Sequence, residues 1–165
     1  MRPLASVCSA RCALKKVRQA KQEERQETKR RKAELKTIPE LKREAQTVFN
    51  QWIRLRDKGS PCISCGKPDN QNGYQMGRDA GHYRSVGSAP HLRFEENNVH
   101  AQCVHCNQYL SGNVIGYRLG LIERIGIEEV ERLESDNRVH KWTREELIEI
   151  RARYVAKLKE LRSKS

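Results

Sequence analysis

Apolar residues at Leu41, Ala45, Val48, Phe49, Trp52, Ile53 and Leu55 recur at spacings of three and four, which lays them along one face of a helix. Thr37 and Pro39 stand at the front of this stretch and Gly59 behind it, residue types that open and close helices. A second stripe, Leu147, Ile150, Tyr154, Leu158 and Leu161, follows Thr143, and Glu146 three positions on completes a capping box. Two shorter helical patterns, Val114–Ile125 and Ile127–Ser135, are separated by Gly126. Residues 13–36 differ: Val17, Ala20, Ala33 and Leu35 make no continuous stripe, although Glu, Lys, Arg and Gln favour helix. That segment is read as a solvated, partly helical arm.

Residues 61–113 show no helical period and hold two cysteine pairs and four of the five histidines. The pattern therefore predicts a basic arm over residues 1–36 and a helix over 37–60 that packs on the core or on a dimer partner. A compact module over 61–113 and C-terminal helices over 114–165 follow. No internal repeat is visible.

Composition narrows the class. Only 36% of the chain is hydrophobic and 33% is charged, so the core is small. A formal charge of +12 points to a polyanion, nucleic acid first and an anionic membrane surface second. Residues 13–36 carry ten basic and four acidic residues, half of that net charge. Lys29, Arg30, Arg31 and Lys32 are its densest run and are candidate DNA contacts, the plainer alternative being a charged surface helix that touches no DNA. With no long apolar run and no apolar signal segment at the N-terminus, the expectation is a soluble cytoplasmic protein with no membrane partner.

Cys62-x-x-Cys65 and Cys103-x-x-Cys106 are metal knuckles separated by 37 residues. Four thiolates close a tetrahedral site and leave no position for water, which predicts structural Zn²⁺. Cys8 and Cys12 lack a partner pair and are read as free thiols, with a half-site completed by another chain as the alternative.

Between and just after the knuckles stand Asp79, His82, His91, Asn98, His100 and Asn107. Phosphodiester hydrolysis needs a base to activate water and a partly open divalent cation to stabilise the leaving oxygen. A neutral histidine such as His82 suits the first task. A carboxylate and an amide oxygen, Asp79 and Asn107, suit Mg²⁺ or Mn²⁺ for the second.

These residues resemble a known family. The order Cys-x-x-Cys, Asp and His, Asn-Val, then Cys-x-x-Cys-Asn is similar to the zinc-stapled ββα-metal (HNH-like) endonucleases, including phage Holliday-junction resolving enzymes. PCISCG, DAGHYR, LRF-x-E-x-N-x-H-x-QC-x-x-CNQ, SGN, ERIG and WT-x-EE resemble more closely the NinG/Rap family of lambdoid phage recombination nucleases, over residues 45–162. The resemblance implies a fold that is mostly α with a small β-hairpin, an HNH-like core stapled by a four-cysteine zinc site and flanked by helices.

It further implies that His82 ends the first strand as general base, that Asn98 holds that strand's backbone, and that Asn107 begins a helix and ligates the metal with Asp79. Gly81 departs from the commoner pattern, in which an Asp or His immediately precedes the base. Glu95, Glu96 and His100 are therefore alternative ligands. Arg84 and Arg93 are expected to hold phosphate oxygens or to pair with surface carboxylates. Relatives carry a further Cys pair upstream, and the finger it would form is expected to be absent here. The implied partners are branched DNA, a second copy of the chain and phage or host recombination proteins, in a bacterial host. The competing reading is a non-catalytic zinc module that binds DNA or recruits a recombination partner.

Overall fold

The computed structural model describes residues 9–71, 74–75 and 77–164. Cys8 lies outside the described residues, as do the other residues before Ser9. The chain divides into two units, one ending at Thr37 and the other beginning at Ile38.

Among the described residues the first unit holds one continuous helix, α1 (Ala10–Glu34), capped by Ser9, whose side chain accepts from Cys12 N at 3.2 Å. It has no apolar stripe, and Leu14 and Val17 are exposed. Charge pairs one turn apart support it instead: Glu27 takes Arg30 and Arg31, each at 3.0 Å. Residues 10–34 of the arm are thus helical. Cys12 lies in its first turn.

In the second unit, α2 (Ile38–Arg56) and α5 (Arg144–Ser163) pack along each other. Leu41, Ala45, Phe49, Trp52 and Ile53 meet Leu147, Ile150, Tyr154 and Leu158 in one core. Phe49 stands edge-on to Tyr154 at 4.8 Å and to Phe94 at 5.7 Å. Both apolar faces are buried in this core. Leu161 packs only at its margin. The helices run the same way, with Arg151 3.5 Å from Glu44 and Lys157 over Trp52 at 4.7 Å. Thr143 and Glu146 form the capping box at the start of α5.

β1 (Asn70–Gln71) and β2 (Tyr74–Gln75) make a minimal antiparallel ladder. The more consequential sheet pairs β3 (Arg78–His82) with β4 (Val99–Cys103), antiparallel, with Asp79 opposite Gln102, Gly81 opposite His100 and His82 opposite Val99. A long connection through residues 83–98 joins these strands in place of a tight hairpin. Ala80 and Val99 face the α2/α5 core.

After β4 comes one π-helical turn, His105–Tyr109, in which Leu110 N bonds His105 O at 3.1 Å. Then α3 (Val114–Ile125) and α4 (Ile127–Ser135) form a second core, with Tyr117, Leu121, Val130 and Leu133 closing on Ile63, Ala89 and Leu92. Glycine lets α3 approach the first knuckle: a Cβ at Gly116 would lie 2.2 Å from Ser64 O, and one at Gly120 2.0 Å from Ile63 O. The Tyr117 hydroxyl accepts from His100 N at 2.9 Å and donates to Gly81 O at 2.8 Å, tying both strands to α3. Among the described residues, no helix is long and apolar enough to cross a membrane.

Candidate functional site

Cys62, Cys65, Cys103 and Cys106 converge, their sulfurs all within 4.8 Å of one another. Zn–S bonds of ~2.3 Å in a tetrahedron set sulfurs ~3.8 Å apart, and Cys65 Sγ lies 3.8 Å from Cys103 Sγ. Donors already surround the sulfurs: Cys103 N reaches Cys62 Sγ at 3.3 Å, Cys106 N reaches Cys103 Sγ at 3.4 Å, and Asn113 Nδ2 reaches Cys106 Sγ at 3.6 Å. Burial raises the Cys62 thiol, but N–H groups of Cys103, Ser64 and Cys65 overcome it and bring it down to about 7. Burial and the neighbouring sulfurs push Cys106 up to about 12. Four such thiols cannot all ionise together without a cation, so the cluster can hold a metal such as zinc.

The second knuckle positions the next residues. Gly112 N bonds Cys106 O at 2.9 Å, curling the chain into the π-helical turn. Asn107 therefore stands inside a single turn and does not begin a regular helix, which starts only at Val114. From there Asn107 Nδ2 donates to Asp79 Oδ2 at 2.8 Å, and Gln108 Nε2 donates to the same oxygen at 2.9 Å. The structure brings Asp79 and Asn107 together and adds Gln108, which the sequence pattern does not single out although it adjoins Asn107 in CNQ. Both amides present nitrogen to the carboxylate, and a half-turn of the terminal torsion presents oxygen instead. The donor set is then all oxygen, suited to a hard divalent cation.

His82 does not join that cluster. Strand residues three apart point to opposite faces, so Asp79 looks toward the turn after Cys106, and His82 shares the other face with Ala80. No hydrogen bond links His82 to Asp79 or Asn107 among the described residues. His82 Nε2 lies 3.1 Å from Arg93 O. A carbonyl only accepts, so Nε2 carries the proton and Nδ1 keeps a lone pair. Burial first, and the Arg93 guanidinium, hold its pKa below the usual histidine value, against the carbonyls of Arg93 and Ala80. The imidazole is neutral near pH 7, the form a general base needs.

Asn98 is fully buried; its Oδ1 accepts from Arg84 N at 2.9 Å and its Nδ2 donates to Arg84 O at 3.0 Å and Leu92 O at 3.2 Å. It clamps the chain just after β3. Arg84 is already engaged within the protein. Its Nη1 donates to Leu133 O, Glu134 O and Asp136 O and its Nη2 to Asn137 Oδ1, so the guanidinium caps the end of α4. Arg93 donates to Gln46 Oε1 at 3.1 Å and keeps an unpaired buried Nε beside His82.

The three alternative ligands lie elsewhere. Glu96 takes Tyr154 and Lys157, and Glu95 caps Asn97 N. His100 is buried beside Asp57, with Arg56 and Arg124 donating to its Nδ1 at 2.9 and 3.1 Å. His91 ties the β3–β4 connection to Asp136, and His105 is exposed, stacked on Tyr109. On the arm, Lys29, Arg30 and Arg31 are exposed, and the Lys32 side chain lies outside the description.

The chain matches the family model described as Bacteriophage Lambda NinG protein over residues 2–164. It is 50% identical over 132 residues to protein ninG of Salmonella phage P22, covering 80% of this chain and 63% of that protein. It is 48% identical over 133 residues to protein ninG of Escherichia phage lambda, covering 81% and 63%. The match to protein ninG of Escherichia phage 933W is likewise 48% over 133 residues, covering 81% and 64%. The chain thus spans a little under two thirds of the length of these relatives. No solved structure matches it.

Proposed function

The chain belongs to the NinG family of bacteriophage proteins, and from that premise we propose that it is a metal-dependent endonuclease of the ββα-metal (HNH-like) kind. Its proposed substrates are branched recombination intermediates, Holliday junctions and D-loops, hydrolysed to 5′-phosphate and 3′-hydroxyl ends. The observation that carries this reading is the meeting of Asp79 and Asn107 at 2.8 Å, beside a four-cysteine cluster and on the strand that ends in His82.

On this reading zinc at the four cysteines fixes the turn that carries Asn107. His82 acts through Nδ1, taking a proton from water while Arg93 O holds Nε2–H in place. Asp79 and Asn107 hold Mg²⁺ or Mn²⁺, which supplies positive charge for the departing 3′ oxygen. In-line displacement places the attacking and leaving oxygens on opposite sides of phosphorus. A base on one face of β3 and cation ligands on the other suit a phosphodiester laid across the end of that strand. Opposed cuts in a two-fold junction need two sites, hence a homodimer joined through surfaces other than the buried faces of α2 and α5.

A second reading is a non-catalytic zinc-containing module that binds DNA, favoured by the placement of His82 and Asp79 on different faces. Cleavage separates the two. A labelled four-way junction is incubated with Mg²⁺ or Mn²⁺ and wild-type protein, His82→Ala or Asp79→Ala. The endonuclease reading expects cutting by wild type alone. A wild type that binds without cutting supports the module, and a His82→Ala protein that cuts as well removes His82 as base.

A further inference from the structure

The C-terminal ends of α2 and α5 and the start of β3 border an open cavity of about 470 Å³ lined by Arg54, Lys58, Arg78 and Arg162, with Asp69 the one carboxylate. Arg54, Lys58 and Arg162 are exposed and make no ion pair among the described residues. Arg78 is different. Its side chain is only 6% exposed; Nη2 donates to Lys67 O at 2.8 Å and Nε faces Asp69 Oδ1 at 3.2 Å. Its Nη1 is buried with no hydrogen-bond partner.

Leaving a buried charged donor unmade is costly unless something accepts from it. Asp69 does not fill that role, because it lies on the Nε side and also accepts from Gly59 N at 3.3 Å. Cations do complement the dipoles of helix ends, which would account for Arg54 and Arg162. It does not account for Lys58 beyond α2, or for a guanidinium buried on a strand in the wall of the same cavity. An unfilled donor on Arg78 with three further cations around it calls for an oxyanion with several acceptor oxygens.

We propose that this cavity is a phosphate-binding site that takes one backbone phosphate of bound nucleic acid, at the opposite end of β3 from His82. It rests on the nucleic-acid reading above and adds an anchoring point to it. Arg78 opens β3 and His82 closes it, so a strand of ~3.3 Å per residue sets the separation of the two points.

The test uses the full chain, a labelled four-way junction without divalent cation, and two variants that each remove two exposed charges. Arg54→Gln/Arg162→Gln alters the cavity; Arg43→Gln/Lys141→Gln alters exposed positions outside it. The cavity pair is expected to raise Kd about tenfold and to lower the slope of log affinity against log salt by about 1, with the control pair within about twofold of wild type. A scan of single methylphosphonate substitutions should then find a phosphate whose neutralisation weakens wild type and not the cavity pair. If the cavity pair behaves as the control pair, or only loses stability in urea, the proposal is overturned while the endonuclease reading stands. If the wild type binds no DNA, the reading beneath it falls as well.

Discussion

Replacing Gly81 by alanine tests how tightly the strand between Asp79 and His82 is held. A Cβ at that position would lie 2.2 Å from Gln102 Oε1, 2.9 Å from Gln102 Cβ and 3.0 Å from Gln102 Cδ. Gln102 cannot simply swing aside. It is fully buried, and its Nε2 donates to Ser64 Oγ at 2.6 Å and to Gly112 O at 2.5 Å, joining β4 to the first knuckle and to the turn before α3. Alanine must therefore expel the amide or part the strands. Overpacking of this kind costs ~1–3 kcal/mol, and two lost hydrogen bonds add ~1 kcal/mol each. The expected loss is about 3 kcal/mol, or about 10 °C in Tm for a unit of this size. Urea unfolding followed by circular dichroism measures it. Gln102→Ala removes the amide but leaves its Cβ 2.9 Å from the added one, at the expense of the same bonds, so Gly81→Ala should cost about 1 kcal/mol less in that background. A loss under about 0.5 kcal/mol, or no coupling between the two sites, would refute the steric reasoning. Any side chain larger than alanine at position 81 meets the same obstacle.

Chelating the metal, or Cys106→Ser, should abolish cooperative unfolding of the second unit, because structural zinc contributes ~10–16 kcal/mol in small domains against a net stability of ~5–15 kcal/mol. A metal assay should find one zinc per chain, and an unchanged urea transition after chelation would contradict the stapling role. Burial first, with neighbouring guanidinium charge, holds both His82 and His100 below the usual histidine pKa, so the unfolded chain takes up protons before the folded one does. Their stabilising contribution is complete above about pH 6.5 and is lost as pH falls through the folded values. Asp57 is held well below the usual carboxylate range by His100 and Arg56 despite its burial, and its contribution persists to lower pH. The urea midpoint should thus rise between pH 5.5 and 7.5, and a flat or falling profile would contradict the assignment. Arg84→Gln should cost about 2 kcal/mol by uncapping α4 while leaving DNA affinity within about twofold. Weaker DNA binding at unchanged stability would restore a phosphate role to Arg84.

The helices were legible because their signals are local. The spacing of Leu41 to Leu55, Gly126 between α3 and α4, and Thr143 with Glu146 each act within a few residues, and these elements form where those signals lie. The continuous α1 was less legible, since its support comes from i, i+3 and i, i+4 charge pairs and not from an apolar stripe. Register was not legible at all. β3 and β4 are five residues each, separated by residues 83–98, and only their pairing shows that Gln102 blocks position 81 or that Gln108 reaches Asp79. Arg84 had the composition of a phosphate ligand, yet its partners lie some fifty positions on, at the end of α4.

The spacing in DAGH bears most directly on function. Had Asp and His stood two or four positions apart, the pleat would have directed both to one face of β3; a spacing of three directs them apart. For a single metal cluster that spacing is wrong, and His82 accordingly makes no bond to Asp79 or Asn107 among the described residues. For in-line cleavage on the proposed reading it is useful, because the base and the leaving-group cation must act from opposite sides of one phosphorus atom. Asn98 and Tyr117 hold the strand from both ends of this stretch, through Arg84 on one side of His82 and Gly81 on the other. These bonds hold the backbone on either side of His82, while the ring's own rotamer is held by the Nε2 contact to Arg93 O at 3.1 Å, so on the proposed reading both the strand and that carbonyl set where the base stands.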